Sequence, residues 1–292
     1  MNNQKSFSEH EVGTLYVVPT PIGNLADITY RAVDTLKHVA FIAAEDTRNT
    51  KKLLNHFAIS TPLISYHDHN KLQREDSMIE RLAKGDSIAI VSDAGMPGIS
   101  DPGYELIQRT IQEDMPVVVL PGANAALCSL IGSGLPTGEF HFYGFLPRKK
   151  KEKEEELDRL NPIRATLLFY ESPYRIKDTL QAIRQVLGNR QVVIARELTK
   201  RFEEYTRGTV EEVLSWISDK EIKGECCIVV EGQTEEVLPE TSLWWSHLSI
   251  LEHVNHYIEK DNIKSKEAIK KVAADRKLPK RDVYQIYHVD SS

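Results

Sequence analysis

The chain has 292 residues, of which 41% are hydrophobic and 27% charged, a composition that suits a soluble protein of more than one domain and excludes a disordered or fibrous chain. No apolar run approaches the ~18 residues of a membrane helix, and the polar opening segment 1–11 is not expected to act as a secretion signal. A net charge of −6 argues against a surface that coats nucleic acid throughout, and three cysteines with no CxxC or finger spacing point to reduced thiols and a cytoplasmic setting.

Read in chain order, short apolar runs alternate with amphipathic stretches. LYVV (15–18) precedes ITYRAVDTLKHV, FIAA (41–44) precedes TRNTKKLLNHF, and LISY (63–66) precedes KLQREDSMIERLA. IAIV (88–91) then precedes YELIQRTIQ, and PVVVL (116–120) precedes ANAALCSLIG. Apolar runs without polar alternation predict strands buried on both faces, and their alternation with helices predicts a parallel or mixed sheet between helical layers. A second series follows, with HFYGF (141–145), TLLFYE (166–171), VVIA (192–195) and CCIVV (226–230) as its strands.

The fold class expected is therefore α/β, with a first domain over 12–122, a second over 123–235 and a polar linker near 233–242. In the last fifty residues, 243–292, two helices are predicted around a short turn, with Ser265 as N-cap and Pro279 opening the second. Ala268, Ile269, Val272 and Ala273 form one apolar stripe, opposed by Val283, Ile286 and Tyr287, in a helix-turn-helix-like appendage. Two segments are basic: RKKKEK at 148–153, and 259–282, where nine Lys/Arg face five Asp/Glu for a local +4. Both suit a local nucleic-acid contact or a solvated helix face.

Each apolar run empties into a loop rich in polar and special residues: PTPIGN, EDTRN, HDHN, SDAGMPG, PGAN, FLPRKKK, ESPYR, RELTKR. The opposite loops, such as AKGDS, are plain turn material. Ligands of open α/β sheets bind beyond the carboxyl ends of the strands, so this edge is the expected site. In VSDAGMPGISDPG (91–103) the glycines permit close backbone approach to a ligand, Asp93 stands at the strand end, and Asp101-Pro102 is expected to cap the next helix. No GxGxxG follows a strand and no GxxxxGK[ST] is present, which excludes the dinucleotide fingerprint and the P-loop. His67 and His69 without a further Cys/His cluster make a poor metal site, and no metal is expected.

These loops resemble the tetrapyrrole methylase superfamily. VPTPIGNL (18–25), AAEDTRNTKKLL (43–54), YHDHN (66–70), VSDAGMPGISDPG (91–103), LPGANAAL (120–127), FYGFLPRK (142–149), FYESPYR (169–175), ARELTKRFEE (195–204) and SKEAIKKVA (265–273) carry the resemblance along nearly the whole chain. It implies two αβα domains enclosing S-adenosylmethionine, and a homodimer. It also implies a cytidine ribose in the decoding region of 16S ribosomal RNA, in the small subunit, as the 2′-O-methylated substrate. Carried over residue by residue, it places Pro21, Asp93, Ala94, Gly95, Met96, Gly122, Asn124 and Ala125 at the cofactor, with Tyr170, Glu171, Arg196 and Glu197 closing the cleft from the second domain. The third loop reads PGAN where many relatives have PGPS or PGVT, which leaves the role of the Asn124 side chain open.

A sulfonium methyl is already activated, so alignment of oxygen, carbon and sulfur is the main task. The hydroxyl proton either passes to a base or leaves late to water; the candidate base is His67, with its ordinary pKa near neutrality, with Asn70 in the same loop, and Asp46 and Arg48 are structural or orient a phosphate. Arg148, Lys149, Lys150 and Lys151 are expected to hold RNA phosphates, and Tyr66, Tyr170 and Tyr174 either stack a cytosine or serve as packing. Two alternatives stay open: a tetrapyrrole C-methyltransferase of the same fold, and an RNA-binding factor without catalysis.

Overall fold

The computed structural model describes residues 3–6, 11–67, 71–234, 244–245, 247–276 and 278–289. Residues 1–234 make one compact unit and 235–292 another.

The first unit holds two five-stranded sheets. The first contains β1 (Leu15–Val17), β2 (Phe41–Ala44), β3 (Leu63–Ser65), β4 (Ile88–Val91) and β5 (Val117–Val119), in the order β3-β2-β4-β1-β5. Every pairing in it is parallel. Its helices are α1 (Tyr30–His38), α2 (Thr47–His56), α3 (Lys71–Ala83) and α4 (Tyr104–Gln112). The unbroken apolar runs act as predicted, because successive residues enter opposite cores. Phe41, Ala43, Ile88 and Ile90 join Met78, Leu82 and Leu106 on one face; Ile42, Ala44, Ala89 and Val91 join Ala32, Leu36 and Leu54 on the other. Helix starts follow capping chemistry: the Thr29 hydroxyl accepts from Ala32 N–H at 3.0 Å for α1, and Asp46 accepts from Arg48 N–H at 2.8 Å for α2.

After α5 (Ala125–Ser133) come β6 (Phe140–Phe145), α6 (Lys150–Leu160), β7 (Thr166–Glu171), α7 (Ile176–Val186), β8 (Gln191–Arg196), β9 (Glu204–Thr209), α8 (Val210–Ile217) and β10 (Cys226–Val230). The sheet order is β6-β7-β10-β8-β9; β6 and β7 are parallel, and β10 runs antiparallel to both β7 and β8. One face is buried by α6, α7 and α8 through Leu157, Leu160, Leu180, Ile183, Val210 and Val213. On the other, Ala126 and Leu130 of α5 meet Leu168, Val193 and Val229. Strand β9, antiparallel to β8, is absent from the sequence reading. It is an edge strand, and its polar residues Glu204, Thr206, Arg207 and Thr209 leave it no apolar run.

The second unit contains α9 (Ile250–Asp261), α10 (Ser265–Asp275) and α11 (Lys280–Val289). The predicted stripe Ala268, Ile269, Val272 and Ala273 is buried with Val283 and Val254, and Tyr287 packs against them. Three helices replace the expected two: α9 begins at a capping box between Ser249 and Glu252. Lys264, not Ser265, is the N-cap of α10. The predicted linker at 235–242 lies outside the described residues.

Candidate active site

Parallel pairing gathers the carboxyl ends of β1 to β5 at one edge, as the loop chemistry predicts. The loops there are bonded to one another. Thr20 and Gly95 exchange both backbone hydrogen bonds at 3.0 Å, joining the loops after β1 and β4. Gly95 has φ 79°, a conformation open to glycine at little cost. The buried Thr20 hydroxyl donates to Ser92 O at 3.1 Å. Asp93 reaches sideways to the next loop: its carboxylate accepts from Asp46 N–H at 3.2 Å and from Asn49 Nδ2 at 3.0 Å.

The second sheet meets this edge through an apolar seam of Ile22, Ala195, Leu198 and Cys227, with Ala94, Ala123, Ala125 and Tyr170 packed on it. Asn24 N–H donates to Thr199 Oγ1 at 3.0 Å, and a Cβ on Gly23 would stand 2.9 Å from Leu198 O. Two loops from different sheets thus approach to backbone contact.

Between them lies a cavity of about 400 Å³, within the range of small-molecule sites. Ile22, Met96, Ile99, Ala125 and Leu198 supply apolar wall, and Glu45, Asp93, Asp101, Glu171 and Glu225 supply carboxylates. The segment 224–227 also lines it. Sequence reasoning missed that segment because it looked only past strand ends; β10 runs antiparallel, so its beginning, not its end, reaches this edge, with Cys226 opposite Glu171 and Arg196.

Of the residues expected at a cofactor, the cavity is lined by Asp93, Ala94, Gly95, Met96, Asn124, Ala125, Tyr170 and Glu171. Asn124 also caps α5, accepting from Leu127 N–H at 3.0 Å. Pro21 lines a smaller neighbouring hollow with Asn49, Lys52 and Asp93. Gly122, Arg196 and Glu197 are not among the lining residues. Gly122 presses against the Pro19 ring, whose Cβ an added Cβ would meet at 2.7 Å. Arg196 pairs with Glu204, and Glu197 with Lys200 at 2.9 Å, which holds its carboxyl below its usual range.

His67 follows β3, the edge strand opposite to β5 in the first sheet, and lines neither hollow; His69 and Asn70 lie outside the described residues. Asp46 and Arg48 form a forked pair at 3.1 and 2.7 Å. That hydrogen bonding lowers Asp46 to about 2, so the pair is helix-starting machinery. Tyr66 is buried, donating to Glu75 Oε1 at 2.9 Å, and cannot stack on a base. Tyr170 forms cavity wall with its ring 5.6 Å from Phe145, whereas Tyr174 is 90% exposed. Asp101 does not cap α4, whose N-cap is Gly103 at φ 138°. It lines the cavity instead, and burial plus the like charges of Glu45, Asp93 and Glu225 raise its pKa to about 7.

The family profile of Tetrapyrrole (Corrin/Porphyrin) Methylases matches residues 14–214, the stretch that holds β1 to β9 and most of the residues lining this cavity. The chain belongs to the tetrapyrrole methylase family. Proteins of similar sequence are the ribosomal RNA small subunit methyltransferase I of Halalkalibacterium halodurans, 56% identical over 99% of both chains, and that of Bacillus subtilis, 53% identical over 99% of both. That of Synechocystis is 43% identical over 94% of this chain and 97% of the other. Among solved structures, a diphthine synthase superposes with TM-score 0.57 at 14% identity, over 76% of this chain and 91% of that one. A uroporphyrin-III-C-methyltransferase from Thermus thermophilus does so with TM-score 0.54 at 16% identity, over 74% and 94%. These two establish the methylase fold.

As a member of the family the chain is an S-adenosylmethionine-dependent methyltransferase. The cavity fits that donor chemically. Its carboxylates match a ligand carrying a sulfonium and an ammonium, its aliphatic wall matches the apolar parts, and the N-terminus of α5 at Asn124 and Ala125 presents backbone N–H groups to an anionic end. No helix among the described residues is long and apolar enough to cross a membrane, and no cluster of three or more His, Cys, Asp or Glu among them is arranged to hold a metal.

Proposed function

We propose that this chain methylates the 2′-hydroxyl of a cytidine ribose in the decoding region of 16S ribosomal RNA, acting in the cytoplasm as a homodimer. The observation that carries the reading is the relationship to the ribosomal RNA small subunit methyltransferases I, which extends over 99% of both chains and so includes the C-terminal helices beyond the methylase region. On this reading 12–122 and 123–235 are the two methylase domains, and 243–292 is an appendage that contacts the particle.

Helix α6 supports an RNA partner on physical grounds. Arg148, Lys149, Lys150 and Lys151 stand at its N-terminus, where cations oppose the helix dipole. Lys149, Lys150 and Lys151 pair with Glu152, Glu154 and Glu155 at 2.8, 3.7 and 3.7 Å. Lysine ahead of glutamate is the weaker order for such pairs, and exposed pairs contribute little. Positive charge placed against helix stability, in bonds easily surrendered, suits exchange onto phosphates.

Bound S-adenosylmethionine supplies a methyl on a neutral leaving group. Asp93, Gly95, Met96, Asn124, Ala125, Tyr170 and Glu171 would hold it, beside the apolar seam between the sheets. Residues that orient the sugar oxygen contribute several kcal/mol through positioning alone. The test is transfer from labelled donor to purified small ribosomal subunits, to naked ribosomal RNA and to a uroporphyrinogen, followed by alkaline hydrolysis, which a 2′-O-methyl group blocks. Label in an alkali-resistant cytidine dinucleotide is expected; label in the tetrapyrrole alone ends the reading.

A further inference from the structure

Phe145 stands in the wall of the cavity with 54% of its surface exposed, and a local irregularity puts it there. In an unbroken strand successive side chains alternate faces. Phe145 would then share the face of Tyr143, which packs with the core under α6, α7 and α8, and oppose Phe142. Instead β6 carries one extra residue against β7: Phe142 is opposite Leu168 and Gly144 opposite Phe169, with Tyr143 between them. Gly144 takes φ 84°, a left-handed conformation suited to glycine, and a Cβ there would stand 3.2 Å from Ser100 Oγ of the loop after β4. The bulge returns Phe145 to the side of Phe142, and both rings lie against Tyr170, at centroid distances of 5.6 and 4.9 Å respectively. Bulges are rare between parallel strands, and beside active sites they re-aim a side chain.

The chain beyond Phe145 is anchored as well. Leu146 is buried in the core. Arg175 Nη2 donates to Leu146 O at 2.9 Å and to Pro147 O at 3.0 Å, and its Nε lies 3.4 Å from the Glu171 carboxylate. Lys149 comes four residues after Phe145, no more than about 14 Å away even along a fully extended chain. One short, fixed segment thus carries an exposed ring in the cavity and the cations at the start of α6. Charge sorts what each end can receive. The carboxylates of Glu45, Asp93 and Glu225 line the cavity and repel phosphates. An RNA strand can therefore enter by a base and its sugar, with its phosphates left outside at the cations.

We propose that Phe145 is the platform on which the target base stacks, in a nucleotide turned out of its strand into the cavity. The inference rests on the reading above, that RNA is the methyl acceptor. Unpaired bases are recognised by stacking on aromatic rings, and enzymes that act on a single base extrude its nucleotide into a pocket. A ring already fixed by a bulge and by contact with Tyr170 loses little freedom when a base stacks on it. With the base held there, the attached ribose loses its rotational freedom, which is the positioning that methyl transfer requires. Two tyrosines considered for this role do not serve it: Tyr66 is buried, and Tyr174 lines neither hollow.

The test compares Phe145→Leu, which keeps apolar bulk without a ring, with Phe145→Trp, which keeps a stacking surface. In methyl transfer to purified small ribosomal subunits, Phe145→Leu should lose about 5- to 150-fold in kcat/KM, the range of one base–aromatic stack, and Phe145→Trp should stay within about threefold of wild type. The calorimetric Kd for S-adenosylmethionine should stay within about threefold in both. The slope of log affinity for RNA against log salt should not change, because no charge is removed. With p-azidophenylalanine in place of Phe145, irradiation of the complex with small subunits should join position 145 to the methylated nucleotide or its immediate neighbour, mapped by primer extension. Wild-type kcat/KM in Phe145→Leu, an equal loss in Phe145→Trp, a loss that follows donor Kd, or a cross-link elsewhere in the ribosomal RNA overturns the assignment. Failure of the RNA reading looks different: the wild-type protein itself then transfers no methyl to ribosomal RNA.

Discussion

The backbone N–H of Asp46 donates to the Asp93 carboxylate at 3.2 Å, so the loops after two adjacent strands, β2 and β4, are joined at the floor of the cavity. Asp93 thereby does two things at once: it fixes the start of α2 and presents its charge to the ligand space. Asp93→Ala should weaken S-adenosylmethionine binding at least about tenfold, a loss of ~1.4 kcal/mol. Asp93→Asn, which keeps an oxygen acceptor but not the charge, should lie between the two. Isothermal calorimetry with the donor decides; equal affinity in all three would remove Asp93 from the binding site.

The Asp46–Arg48 pair has a defined pH signature. Asp46 is lowered to about 2 in the folded chain, so its contribution is present above the unfolded value near 4 and is lost as pH falls through about 2. Asn retains the N-cap, so Asp46→Asn isolates the charge. The wild type should exceed the variant in thermal midpoint at pH 6, and the gap should close between about pH 4 and pH 2. A gap that is the same at pH 6 and pH 2 would contradict it.

Asn124 joins helix capping to the cavity wall. Removing the cap in Asn124→Ala should destabilise by about 1 kcal/mol, about 2–4 °C in thermal midpoint for a unit of this size. Asn124→Ser should retain most of that stability, since serine caps as well.

At Gly23 a loop of the first sheet meets a loop of the second. A Cβ added there would stand 2.9 Å from Leu198 O and 2.8 Å from Thr199 Oγ1, with Lys200 closer still. Gly23→Ala should cost about 1–3 kcal/mol by overpacking and weaken donor binding by spreading the seam, read by urea unfolding and calorimetry. Unchanged values in both would mean that the loop yields without consequence.

At α6, the double variant Lys150→Ala, Lys151→Ala should bind ribosomal RNA more weakly and reduce the slope of log affinity against log salt by about 1 for each lysine. Thermal stability should not fall, because these lysines oppose the helix dipole and their glutamate pairs are exposed. An unchanged salt slope would remove this helix from the RNA contact.

By itself the sequence determined the layered architecture and the edge at which the polar strand-end loops gather. FIAA and IAIV are apolar at every position because both sheet faces are covered, and that pattern is local. So is the loading of strand-end loops, which correctly brought Asp93, Gly95, Met96, Asn124 and Tyr170 to one cavity. Only the tertiary structure decided strand direction and loop-to-loop contact. β10 reads as one more apolar strand, yet its antiparallel placement brings Glu225 and Cys226 to the site. Asp101 reads as a helix cap, yet Gly103 takes that role and Asp101 lines the cavity. His67 sits at a strand end like the others, but β3 is the edge of the sheet opposite to β5, whose loop lines the cavity, and His67 does not reach it. Burial periodicity is written along the chain, whereas the neighbours of a given strand end are set by pairings between residues far apart in it, and those pairings leave no local trace.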